Sequence, residues 1–118
     1  MKERLAGELR LQIHTDEVSS QAIAALRTEC EALAPRLAGA LDLRFEEGED
    51  EGKYLNIVFD SHSPQDLWPE IKAALYLSAA HGPTLRTKSM ALRTGEDGWN
   101  DYVLLYHYDS TVPVERLQ

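Results

Sequence analysis

Cysteine is nearly absent: Cys30 stands alone in 118 residues, so no intrachain disulfide can form and an oxidising compartment offers the fold no covalent benefit. Long apolar runs are missing too. No stretch of eighteen apolar residues occurs, and Met1 to Leu9 carry charges without an apolar core, so neither a membrane span nor a signal peptide is expected and the expected address is cytoplasmic. Positive charge is sparse and scattered. Twelve Lys and Arg oppose twenty Asp and Glu, a formal net charge of -8, and no basic cluster forms, which argues against nucleic acid or an anionic membrane as partner.

Reaction motifs are missing as well. No GxGxxG, GxxxxGK[ST], CxxC or GxSxG pattern is present, so nucleotide, zinc and serine-nucleophile chemistries lack their usual sequence signatures, and no cofactor is expected. His14, His62, His81 and His107 lie at no metal-ligand spacing. Cys30 sits within an apolar helical stripe, where a small thiol serves as core. Catalytic residues are therefore not assigned, and binding is the preferred role.

The residues that are present suffice for one hydrophobic core. A chain of 118 residues, 43% of them hydrophobic, matches a single domain, expected over 1–118 with an irregular tail from about 109. Strict alternation around Leu9, Leu11 and Ile13 predicts a half-buried strand over 8–15. Ile23, Leu26, Cys30, Leu33 and Leu37 recur at spacings of three and four, predicting an amphipathic helix that ends or kinks at Pro35. Leu41, Leu43 and Phe45, then Leu55, Ile57 and Phe59, predict two strands joined through 47–52 as an antiparallel hairpin.

Ser63, Pro64 and Asp66 mark a second helix start, and Gly82-Pro83 reads as its stop. Residues 84–94 and 99–108 flank Gly95-Glu96-Asp97-Gly98 as a terminal hairpin, with a bulge expected because Leu85 and Leu92 differ in parity. The order β-α-β-β-α-β-β fits an α+β, ferredoxin-like sandwich: an antiparallel sheet with two helices on one face and the last strand extending an edge. That architecture hosts unrelated functions and carries little functional information.

Two surface features are candidates for recognition. Glu46, Glu47, Glu49, Asp50 and Glu51 fall within six positions, enough negative charge to steer a basic protein surface. A solvated loop is the plainer account, and a cation site has little support because the spacing does not match the twelve-residue calcium loop. Tyr54, Trp99, Tyr102, Tyr106 and Tyr108 could either finish the core or present rings among Arg10, Arg44 and Lys88 on an open sheet face.

Together these features suggest an inhibitor that binds a basic partner, most concretely an immunity protein occluding a toxin domain. The competing reading is a homodimer, small-molecule binding or enzymatic, with two sheets facing across a pocket lined by His14, Tyr54 and His107. A third is an accessory domain whose specificity resides in its partner.

Overall fold

The structure, a computed structural model, describes residues 7–49, 51–94, 102–109, 111–112 and 114. Its first strand, β1 (Gly7–His14), buries Leu9, Leu11 and Ile13 completely and turns Glu8, Arg10, Gln12 and His14 to the other face. Helix α1 (Ser20–Leu33) begins at Ser19, whose hydroxyl accepts the Ala22 amide at 3.0 Å. It buries Leu26, Cys30 and Leu33 and passes into a 3-10 turn at Ala34–Arg36, where Pro35 cannot continue the α-helical ladder.

Strands β2 (Ala40–Glu49) and β3 (Lys53–Ser61) then pair antiparallel. Both strands run further than apolar alternation predicts, so the connection shrinks and Glu47 and Glu49 join Glu46 in β2 itself. Glu51, at φ 57, and Gly52, at φ 130, supply the left-handed backbone of the turn.

Helix α2 (Pro64–Ile71) carries Pro69 and continues as a wider π turn over Lys72–Tyr76. Leu75 and Tyr76, at the end of this turn, are both buried. Gly82-Pro83 opens a third helix, α3 (Gly82–Lys88), instead of ending the second. Proline at the start of a helix forfeits no hydrogen bond, so the same dipeptide serves as start or stop. The strand expected over 84–94 is thus half helix, and only Ser89–Thr94 forms β4.

The final strand, β5 (Tyr102–His107), pairs with β4. The expected 95–98 turn and Trp99 lie outside the described residues.

The result is α+β. Five strands form one sheet in the order β2-β3-β1-β4-β5, every neighbouring pair antiparallel. Residues of α1, α2 and α3 join Leu9, Leu11, Ile13, Leu55, Ile57 and Phe59 in one buried cluster, so the helices share a single face of the sheet. Among the described residues nothing covers the opposite face. No helix among them is long and apolar enough to cross a membrane.

Candidate functional site

Cross-strand register arranges the uncovered face into rows. One row runs Arg44, Val58, Arg10, Leu92, Leu104 from the β2 edge to the β5 edge, and the next runs Glu46, Asn56, Gln12, Met90, His107. The β2 and β3 side is ionic. The β4 and β5 side is apolar and aromatic, with half-buried Met90, Leu92 and Leu104 between Tyr102 and Tyr108, which are 42% and 43% exposed.

The ionic side is organised around Glu8, which is buried although it lies on the open face. Its carboxylate accepts Arg10 Nε at 2.9 Å, Arg44 Nη2 at 3.1 Å and the Tyr102 hydroxyl at 3.2 Å. Glu46 accepts Arg10 Nη1 at 3.2 Å and Arg44 Nε at 3.0 Å, closing a ring of alternating charge. Arg44 Nη1 also donates to both oxygens of Asp60, at 2.9 and 2.8 Å.

Val58, the register partner of both arginines, is fully buried, as expected where two long aliphatic stems cross it. The ring sets its own protonation. Hydrogen bonding to Arg44, with the charge of Arg10 beside it, holds Glu46 below the usual carboxylate range. Hydrogen bonding to Glu46 and Asp60 pushes Arg44 up. Burial, then the charge of Glu8, raises Tyr102, so its hydroxyl stays protonated near neutrality and is a poor base.

The sequence-predicted residues do not form one patch. Glu46 belongs to the ring. Glu47 faces the helices and pairs with Arg27 at 3.0 Å, the same guanidinium that caps the Phe45 ring at 4.7 Å. Glu49 and Glu51 have no ion-pair partner among the described residues, and Asp50 lies outside them.

Tyr54 lies on the open face opposite His14 and against Gly48, where an added Cβ would overlap its hydroxyl. Strand spacings place Tyr54 roughly 25 Å from Tyr102, diagonally across the sheet. Tyr106 corrects the simple alternation. A register shift between Ala91 and Leu92 inserts Leu105 as an extra residue, so Leu105 and Tyr106 both turn toward the helices. There the Tyr106 ring meets Tyr76 edge-on at 5.1 Å and its hydroxyl donates to the Arg86 carbonyl at 2.5 Å.

Sequence reasoning missed Met90, Leu92 and Leu104 as a patch, because they become neighbours only through the register of β4 and β5. Glu8 was visible only as a polar position in an alternating strand. At one end of the face, His14 meets Tyr108 edge-on at 5.3 Å, and Tyr108 lies 4.4 Å from His107, whose Nδ1 accepts the Asp109 amide at 3.0 Å. On the helix side, a groove of about 680 Å³ opens between α1 and the β2-β3 hairpin, floored by Val18, Ile23 and Leu55 and rimmed by Arg27, Glu47 and Lys53. Among the described residues no group of three His, Cys, Asp or Glu is placed to hold a metal ion. No family model, curated protein or solved structure matches this chain.

Proposed function

We propose that this chain is a protein-binding module that docks a basic partner on its uncovered sheet face, in the manner of an inhibitor occluding a toxin domain in the cytoplasm. The observation that carries the reading is the apolar patch of Met90, Leu92 and Leu104 framed by Tyr102 and Tyr108 and bordered by arginines. Tyrosine, methionine and arginine are the residues that protein interfaces favour. The ring favours coverage too: its carboxylates already accept hydrogen bonds within the chain, so removing water leaves fewer groups unpaired.

Glu49 and Glu51 lie away from the patch, so their role is long-range attraction, acting on association rate more than on contact energy. A polyanion fits less well, because phosphates would have to displace carboxylates already seated on Arg10 and Arg44. The strand order, read with two right-handed crossovers, supports a ferredoxin-like sandwich extended at one edge by β5.

The test is binding to a basic partner co-encoded with this chain, measured by titration calorimetry. Leu92→Asp with Leu104→Asp is expected to weaken binding at least about a hundredfold, as loss of a central apolar contact does. Glu49→Gln with Glu51→Gln is expected to slow association severalfold, with little change in dissociation. Unchanged affinity in the Leu92/Leu104 variant would remove the open face from the contact.

A second reading, small-molecule binding between facing sheets of two copies, is favoured by the cluster of His14, Tyr54, His107 and Tyr108. Chemical-shift changes of the His14 and His107 rings on ligand addition would support it. Rings silent to every ligand that stabilises the protein would count against it.

A further inference from the structure

β2 forms one edge of the sheet, and no described strand pairs with its outer side. An unpaired edge is a template for another strand, and β2 has neither proline nor lysine, two common guards against such pairing. From Asp42 to Glu49 it keeps regular register with β3; the irregularity lies between Ala40 and Asp42. Asp42, Arg44, Glu46 and Gly48 occupy the open face along it, while Leu43, Phe45, Glu47 and Glu49 occupy the helix face. Leu43 and Phe45 are only half-buried.

We infer that β2 pairs antiparallel with β2 of a second copy, with the two-fold axis at Phe45. In a symmetric antiparallel pair each register has one central residue, and the charges on β2 discriminate among the registers. Centring on Arg44 sets that guanidinium against itself and Asp42 against Glu46. Centring on Glu46 or Glu47 sets a carboxylate against itself, and centring on Gly48 opposes Glu47 to Glu49. Centring on Leu43 allows only Asp42, Leu43 and Arg44 before the irregular position.

Centring on Phe45 aligns Asp42 through Gly48 without interruption. Arg44 then faces Glu46 of the second copy twice, Phe45 faces Phe45, Leu43 meets the aliphatic stem of Glu47, and Asp42 faces Gly48. No like charges stand directly opposed, and both opposite-charge and aromatic cross-strand pairs stabilise a sheet. The charge pattern that guards this edge against arbitrary strands is complementary to itself in one register.

The net charge of -8 opposes association of two copies. This register moderates the repulsion by sending the two hairpins in opposite directions. The two Glu49 residues then stand roughly 27 Å apart at about 3.4 Å per residue, beyond the Debye length of about 8 Å at physiological ionic strength. The inference is independent of the proposed partner. The outer edge of β2 is used, the Met90, Leu92 and Leu104 patch stays free, and both patches lie on one side of a continuous ten-stranded sheet.

Sedimentation velocity tests the pairing. The native chain is expected to sediment as a dimer that strengthens with added salt. Arg44→Glu and Glu46→Arg, each alone, set like charges face to face and are expected to weaken the dimer by about tenfold or more. Mixing the two variants restores both opposite pairs and with them a heterodimer.

Because both side chains also serve the ring, circular dichroism must show each variant folded. Should either unfold, Phe45→Cys in the otherwise native chain decides: mild oxidation is expected to give a disulfide-linked dimer on a non-reducing gel. Face-to-face packing of the sheets would not bring position 45 beside its own copy. A native chain monomeric at every concentration, folded variants that stay apart when mixed, or a dimer that Phe45→Cys cannot cross-link would each overturn the inference. Partner binding by the native chain, diluted until it sediments as a monomer, reads the proposed function separately.

Discussion

At Glu8, a carboxylate that alternation assigns to the solvent side of a strand is closed off by two guanidiniums and a phenol. Exposed ion pairs contribute little, but a buried charge stripped of a partner is costly. Arg44→Met is therefore expected to lower unfolding free energy by about 2–4 kcal/mol, since it leaves both Glu8 and Asp60 short of donors. Glu8→Gln should cost less, about 1–2 kcal/mol. In urea titrations the double variant should lose less than the sum of the two; strict additivity would show that the ring is not one unit.

None of this was legible in the sequence, because residues 8, 44 and 60 share no local spacing and meet only through strand pairing. Cys30 was legible. Its stripe position predicted a core thiol, and burial, aided by Glu29 and Glu31, pushes its pKa up to about 12, leaving it a neutral, unreactive group at physiological pH.

Among the elements, those built on unbroken periodicity came through, whereas punctuation held at Pro35 and at Ser63-Pro64, where α2 begins, and failed at Gly82-Pro83. Alternation of apolar residues placed β1, β2 and β3, with ends shifted by a few residues, and the three-four spacing placed α1 up to Pro35. Gly82-Pro83 was misread because proline terminates one helix by the same property that begins another. Tyr76 was missed because a π turn has no apolar period of its own, and of the two roles open to Tyr106 the core one holds because a single inserted residue reverses the strand's faces.

The start of α3 can be tested directly. A Cβ on Gly82 would come within 2.5 Å of the Tyr76 carbonyl oxygen, which already accepts Arg86 Nη1. Gly82→Ala is thus expected to destabilise by about 1–3 kcal/mol, against the usual gain for alanine at a helix position. A higher thermal midpoint for that variant would show that the junction between the π turn and α3 relaxes freely.

For the whole molecule, acid should be the sensitive direction. Glu46 is held below the ordinary glutamate value of 4.5 by Arg44, while Glu17 is lowered by Lys88 and Asp109 by Thr111. A carboxylate whose folded pKa is depressed contributes stability that is present above its unfolded pKa and lost as pH falls through the folded one. Stability is therefore expected to decline progressively below about pH 4.5, and Glu46→Gln should flatten that decline in urea midpoints measured from pH 6 downward. A profile identical to that of the native chain would show that Glu46 takes no part in it.

The ring of Glu8, Arg10, Glu46 and Arg44 also joins β1 to β2 across the intervening β3, and so acts as a check on alignment. Slide β2 by one residue and Leu43 or Phe45 arrives where Arg44 should stand, every β2 side chain changes faces, and the circuit of charge cannot close. Hydrophobic contact alone tolerates near misses among strands this similar. A closed loop of four charges does not, and it rejects a sheet in which β1 and β2 are out of step.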